Sequence, residues 1–282
     1  MFKRYLDSVC VRYPGVMARL MGEWPLRPIR YLYEGEPKEL AESLCNKAIP
    51  CNVYQVWTHS VLGKSHSERL AEFIHLNPEY RFWLYDADQM DAYMQEHYAD
   101  HPVYSVYINA QYGPVKTDIW RYCILFERGG FYFDINKMVE VPLSTIVQPA
   151  DTAVVSYEKN LLPAGFVKGP ECLAHPDRLV LNWGFGFAKG HPILAAILEN
   201  IVADYPAYKG VRFPNVKEAI LNLTGPHQLT KTIHQMTLKR PPMIREAGVD
   251  FYGHGNPNIH RSWVRYAAQP SYAREASGVI VK

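Results

Sequence analysis

An alternation of strand-like and helix-like patterns between residues 49 and 136 constrains this chain more than any other feature. "IPCNVYQVW" (49–57) alternates and is rich in β-formers, which predicts a strand. "SHSERLAEFIHLNP" then puts Leu70, Phe73 and Ile74 on one helix face, with capping-box spacing between Ser65 and Glu68 and a stop at Asn77-Pro78. "YRFWLYD" predicts a second strand, and "DADQMDAYMQEHY" a second helix with Asp88 as its N-cap. "PVKTDIWRYCILFERGG" repeats Val115, Ile119, Tyr122 and Phe126 at helical intervals and stops at Gly129-Gly130, after which "FYFDIN" is the next strand. Strand, helix, strand, helix is the rhythm of an α/β fold with a mostly parallel sheet flanked by helices. Beyond Pro142 the pattern loosens into a loop-rich C-terminal half. There "TAVVSYE" and "NWGFGFAKG" predict strands, His191-Pro192 opens a helix reaching about Tyr205, "LTGPHQLTKTIHQM" runs from loop into helix, and "VIVK" is a last strand.

Composition narrows the function classes. The chain has 282 residues, 48% hydrophobic and 21% charged, which suits an ordinary globular protein able to bury a substantial core. A net charge of +2 gives no electrostatic reason to bind nucleic acid. The 20 tyrosines and 6 tryptophans serve packing or stacking on sugars and bases. Five cysteines (Cys10, Cys45, Cys51, Cys123, Cys172), odd in number and without C-x-x-C spacing, predict reduced thiols rather than a disulfide framework or a zinc site. The N-terminus carries no apolar run long enough for a signal peptide or a membrane span. It is basic and aromatic, so it predicts a helical extension over 1–48 and at most peripheral contact with a membrane. His59, His66, His75, His97, His101 and His175 lack metal-ligand spacing and default to surface or satisfied histidines. No G-x-G-x-x-G follows a strand, and neither G-x-S-x-G nor a P-loop occurs.

The "GGFYFDIN" stretch raises the functional question. Strand alternation places Phe131, Phe133 and Ile135 on one face and Tyr132, Asp134 and Asn136 on the other. The last two emerge at the carboxyl end of the strand, where ligands bind open α/β sheets. Two adjacent oxygen donors suit a hard cation such as Mg²⁺ or Mn²⁺, which can bridge and neutralise a diphosphate. Asp118 and Arg121 are i and i+3 on the preceding helix. Alone they would be a surface ion pair of little worth. Because a Gly-Gly turn joins that helix to the Asp134 strand, their face can line the same pocket.

The order "TD-I-W-R-Y…L…GG-F-Y-F-D-I-N" resembles the signature of the DXD-motif sugar transferases, which include relatives of the yeast α-1,6-mannosyltransferases, many bacterial capsule and surface-polysaccharide transferases and, distantly, the glucosyltransferase domains of clostridial toxins. Further resemblances follow in chain order: "IPCNVYQVW", "LNPEYRFWLYDAD", "NWGFGFAKGHPIL", "LTGPHQLT" and "IHRSW". Together they span roughly residues 49 to 265, and six ordered motifs are far more specific than any one.

The resemblance implies a GT-A-like domain over 49–282, with a nucleotide-sugar-binding half (49–145) and an acceptor-binding half (146–282). It implies hexosyl transfer, with retention of anomeric configuration, from a UDP- or GDP-linked donor to a glycan, lipid-linked or protein acceptor. Trp57 would stack on the base, with Gln55 beside it in the nucleotide-sugar site. Asp118 and Arg121 would hold donor hydroxyls and diphosphate, and with Asp134 form the catalytic set. Asp134, Asn136 and His260 would hold a divalent Mn²⁺ or Mg²⁺, while Ser262 and Trp263 would close over the diphosphate. Asn182 and Trp183 would face the transferred sugar and the acceptor. At Gly225-Pro226 a turn before a helix is the simpler reading. Two departures stand out: Tyr54 where the family often has His, and Asn136 where it normally has Asp. An amide oxygen coordinates without adding charge, so the metal would bind weakly. A catalytically weakened nucleotide-sugar or glycan binding module is the alternative. The expected setting is cytoplasmic, at most peripheral to the inner membrane face.

Overall fold

The computed structural model describes residues 18–20, 22–29, 47–57, 61–239, 244–256 and 277–282. Most of the expected N-terminal extension, and His260, Ser262 and Trp263, lie outside the described residues. The first elements are β1 (Arg27–Pro28), β2 (Asn52–Val56), β3 (Val61–Leu62), α1 (Lys64–Leu76), β4 (Arg81–Tyr85) and α2 (Ala87–Tyr98). There follow α3 (Pro102–Asn109), α4 (Gly113–Arg128), β5 (Gly130–Phe133), β6 (Met138–Val139), β7 (Ala153–Leu161), β8 (Arg178–Val180) and β9 (Gly184–Phe187). The described chain ends with α5 (Pro192–Tyr208), β10 (Arg212–Phe213), α6 (Val216–Leu223), α7 (Pro226–Lys239), β11 (Arg245–Val249), β12 (Gly255–Asn256) and β13 (Gly278–Val279).

The central sheet has the order β11-β7-β9-β5-β2-β4, with β8 added on β7. β11 and β7 pair in parallel, as do β5, β2 and β4, while β9 is antiparallel to both β5 and β7. Reversing twice through β9 leaves β11, β7, β5, β2 and β4 running the same way. Five carboxyl ends therefore open on one edge, which is the expected α/β class with a mostly parallel sheet.

Alternation along the strands feeds two cores. One face sends Tyr54, Tyr132, Val155, Tyr157 and Phe185 against α2 to α7. The other sends Val53, Phe131, Phe133 and Val154 against Phe73 of α1 and the segment from Met138 to Val147. Fully burying each such aromatic contributes roughly 1.5–3 kcal/mol. α4 is buried nearly all round, from Val115 through Leu125, so it is a core helix rather than an amphipathic surface one.

Several local expectations change. The N-cap of α2 is Asp86, which forms a full capping box with Gln89, rather than Asp88. Ser65 does not cap α1; it sits inside the helix, and its N–H and hydroxyl both donate to Glu23, forty-two residues away. A carboxylate brought from afar thus does the capping, which no local pattern reveals. The short helix α3, opened by Pro102 at its first turn, is an element the sequence pattern above does not include. "FYFDIN" is strand only to Phe133; a turn from Asp134 to Lys137 follows, closed by the Lys137 N–H donating to the Asp134 carbonyl at 2.8 Å. Among the described residues of the second half the longest loop lies between β7 and β8, while α5, α6 and α7 are regular. Cys51 is disulfide-bonded, contrary to the expectation of five reduced thiols, and Cys123 and Cys172 are free. Its partner lies outside the described residues; spacing along the chain does not report which cysteines meet.

Candidate active site

The tight turn from α4 into β5 sets the geometry. Gly129 and Gly130 have φ of 66° and 118°. A Cβ on Gly129 would meet Pro50 and the Lys189 backbone at 2.7 Å, and one on Gly130 the Asn52 carbonyl oxygen at 2.7 Å. Only glycine satisfies both the conformation and the contact. The last turns of α4 are thereby held against β5, the strand that leads into Asp134.

Asp118 and Arg121 are both buried, at 5% and 6% exposure, so theirs is not a surface ion pair. Asp118 Oδ1 lies 3.2 Å from Arg121 Nη2 and accepts from Asn182 Nδ2 at 2.9 Å; Oδ2 accepts from Thr224 Oγ1 at 3.0 Å. Burial nonetheless pushes the Asp118 carboxyl above the usual carboxylate range, against the pull of Arg121, Thr224 and Asn182. Arg121 directs its fork inward: Nε donates to the Thr117 carbonyl, Nη1 to the Asn182 carbonyl, and Nη2 faces both Asp118 and, at 3.6 Å, Asp134. Its guanidinium lies 4.2 Å from the Tyr132 ring centre. Burial opposes its charge, and Tyr132, Asp118 and Asp134 more than offset that, raising its pKa.

Asp134 is the more open of the two carboxylates, with 34% of its side chain exposed. Oδ1 accepts from the Tyr132 hydroxyl at 2.7 Å, so Tyr132 and Asp134 do share a face as alternation predicts. The Asp134 N–H donates to the Trp183 carbonyl at 2.8 Å. The turn beyond it is held by His66 of α1, whose Nε2–H donates to the Ile135 carbonyl at 2.7 Å. Its other ring nitrogen, Nδ1, is buried without a hydrogen-bond partner, so this histidine is only half satisfied, and burial lowers its pKa to about 4.

The structure therefore brings together Asp118, Arg121, Asp134 and Asn182, with Tyr122 and Thr224 completing the network. The Tyr122 hydroxyl lies 2.8 Å from Asn182 Oδ1 and 2.9 Å from the Thr224 carbonyl oxygen. Trp57 follows β2 at the same sheet edge and packs with Ile135, Leu62 and Leu70. Gln55 is fully buried within β2, and Tyr54 is a core residue. Trp183 is buried against Phe133 and Phe251. Gly225-Pro226 is the junction of α6 and α7, as the simpler reading held.

Sequence reasoning missed Thr224, Tyr122 and two carboxylates further along the edge. Val249 pairs with Tyr157, so Glu158, still within β7, stands level with Asp250, the residue just past the end of β11. Asp250 is buried and its Oδ2 lies 2.7 Å from Lys159 Nζ. Burial, and then the neighbouring Asp250, raise the Glu158 pKa against the pull of Lys137. Their sequence signal is slight, because two acids ninety-two residues apart become neighbours only through β7–β11 pairing.

Asp134 and Asn136, both partly exposed on one turn, offer two oxygen donors. That suits a hard cation which takes its remaining ligands from water and phosphate. Among the described residues no three His, Cys, Asp or Glu side chains stand close enough to form a metal cage by themselves.

Residues 63–153 match the family described as the glycosyltransferase sugar-binding region containing the DXD motif, a span that includes Asp118, Arg121, Asp134 and Asn136. The chain is 27% identical over 212 residues to an initiation-specific α-1,6-mannosyltransferase of Candida albicans, covering 67% of this chain and 54% of that protein. It is 25% identical over 156 residues to inositol phosphoceramide mannosyltransferase 3 of Schizosaccharomyces pombe, covering 55% of this chain and 37% of that protein. The chain thus spans about half or less of these curated relatives. Among solved structures it is similar to the PaToxG glycosyltransferase, with a TM-score of 0.48 and 16% identity over 86% of this chain and 81% of that one.

Proposed function

We propose that this chain, whose residues 63–153 fall within the DXD-motif glycosyltransferase family, transfers a hexose from a UDP- or GDP-linked donor to an acceptor hydroxyl. Its similarity to mannosyltransferases favours mannose as the hexose. The observation that carries the reading is the network of Asp118, Arg121 and Asp134 at the carboxyl edge of the sheet. Buried carboxylate and guanidinium sit behind a half-open carboxylate, an arrangement suited to a polyhydroxylated, anionic ligand.

The chemistry follows a front-face course with retention. The donor C1–O bond to the diphosphate breaks, the acceptor oxygen bonds C1 from the same face, and the acceptor proton passes to the departing diphosphate oxygen. No protein nucleophile is needed, so the protein's work is positioning and charge stabilisation. Asp134 touches the donor. Arg121 acts mainly through it, as a fixed positive charge that orients Asp134 and biases the site toward the leaving group. Asp118 and Asn182 brace one another where the transferred sugar would lie. Trp57 offers an indole to the base. A divalent cation, when bound, supplies charge neutralisation to the diphosphate, and Asp134 and Asn136 are the residues that would hold it.

The test is release of nucleoside diphosphate from UDP- and GDP-linked hexoses, GDP-mannose included, with Mn²⁺, Mg²⁺ or EDTA. Turnover of at least one donor is expected. Binding without turnover would favour the non-catalytic nucleotide-sugar-binding module suggested by Asn136, and no binding of any donor would overturn both the transferase and that module.

A further inference from the structure

Away from the Asp134 turn, α5, α6, α7 and the loop between β7 and β8 line a half-open cavity of about 230 Å³. Its lining combines two aromatic rings, Phe166 and Tyr208, with Asp204, Asn222, His227, Gln228 and Lys231. Asp204 Oδ2 accepts from Gln228 Nε2 at 3.1 Å and faces Lys231 Nζ at 3.5 Å. Gln228 is only 1% exposed, yet its Oε1 has no hydrogen-bond partner, so an acceptor is buried at this cavity with nothing to receive from. Asn222 Oδ1 and His227 Nδ1 are 2.9 Å apart, and Phe166 lies edge-on to His227 at 5.6 Å.

The charges select the ligand class. Lys231 is offset by Asp204; burial lowers the His227 pKa, and Glu218 Oε1 stands 3.5 Å from its Nδ1. The lining carries no net positive charge to attract phosphate or a nucleotide. It is too polar for a purely apolar guest. Aromatic faces beside amide and carboxylate groups match a pyranose, which has one apolar face and a rim of hydroxyls. A cavity smaller than the ~300–1,000 Å³ of drug-sized sites has room for a single ring.

Its place in the fold says which sugar. Asn222 and His227 flank Thr224, whose hydroxyl holds Asp118. The cavity and the candidate donor site thus share the α6–α7 junction. We propose that this cavity is a subsite for a neutral pyranose of the acceptor, a reading that rests on the transferase assignment above. Asp204 and Gln228 bind its hydroxyls, and Phe166 and Tyr208 cover its apolar face.

The experiment is saturation-transfer NMR on the full chain with methyl α-mannoside and α-1,6-mannobiose, and inorganic phosphate as competitor, using Asp204→Asn and Phe166→Ala. The expected result is millimolar saccharide binding by the wild type, weakened tenfold or more in both variants, and no competition from phosphate. If Phe166→Ala lowers the melting temperature, the isosteric Asp204→Asn alone decides. No saccharide binding by the wild type, equal affinity in Asp204→Asn, or displacement by phosphate would each overturn the subsite. Donor turnover is measured separately. Saccharide binding without any donor turnover sinks the transferase reading and leaves a glycan site, whereas donor turnover with an unaltered mannobiose affinity in the variants sinks the subsite alone.

Discussion

Asp118 and Asp134 both face the Nη2 of Arg121, yet their surroundings give them different work. Asp118 has each oxygen engaged inside the protein, whereas Asp134 keeps a third of its side chain open. Asp134→Ala is therefore expected to lower nucleoside diphosphate release about 10²–10³-fold, the usual range for loss of one preorganised electrostatic group. Its melting temperature should stay within a few degrees of wild type, so calorimetry beside the turnover assay separates chemistry from folding. Arg121→Lys should behave otherwise. An ammonium cannot reach Thr117, Asn182, Asp118 and Asp134 at once, and a buried carboxylate left underpaired costs about 3–5 kcal/mol. Urea denaturation would read that loss, and an unchanged midpoint would remove Arg121 from the centre of the network.

At the scale of elements, the α4–β5 turn and the α1 contact position the site. Gly130→Ala would force a Cβ to 2.7 Å from the Asn52 carbonyl at a φ of 118°, so a loss of about 1–3 kcal/mol in a denaturation midpoint is expected. His66, which pins the Asp134–Lys137 turn, carries a pH dependence. Its folded pKa of about 4 lies below the ordinary 6.5, so the unfolded chain takes up the proton first. The stabilisation is complete above 6.5 and is lost as pH falls toward 4, on the order of 3 kcal/mol for a shift of this size. His191, also lowered to about 4 by burial, adds in the same direction. Melting curves from pH 7 to 4 should show the fall, and His66→Gln should flatten part of it. Much of this level was legible beforehand. The periods of β2, α1, β4, α2 and α4 announce themselves because a buried stripe must repeat with the element. The Glu23 cap on Ser65 and the β11–β7 pairing were not, since they join residues far apart in the chain.

For the whole molecule, the proposed cation site has an amide at 136 where a carboxylate would add charge. Chelation with EDTA is expected to lower turnover, and Asn136→Asp to tighten Mn²⁺ binding about tenfold or more by adding a charge to a hard-cation site, measured by calorimetric titration. An unchanged affinity would take residue 136 out of the metal site. No helix among the described residues is long and apolar enough to cross a membrane. The disulfide at Cys51 removes the argument from cysteine usage for a reducing compartment.

Local pattern alone determined the α/β class and the order of the elements, because hydrophobic period and turn chemistry are properties of neighbours in sequence, while Asp118, Arg121 and Asp134 were singled out by the ordered motifs of the family resemblance. Only the tertiary structure decided that Asp118 and Arg121 are buried, that Arg121 spends its donors inward, and that Thr224, Tyr122, Glu158 and Asp250 belong to the same edge. Those facts depend on which strands pair and which helices cover them, and such contacts are set by packing over long separations that no short stretch of residues records.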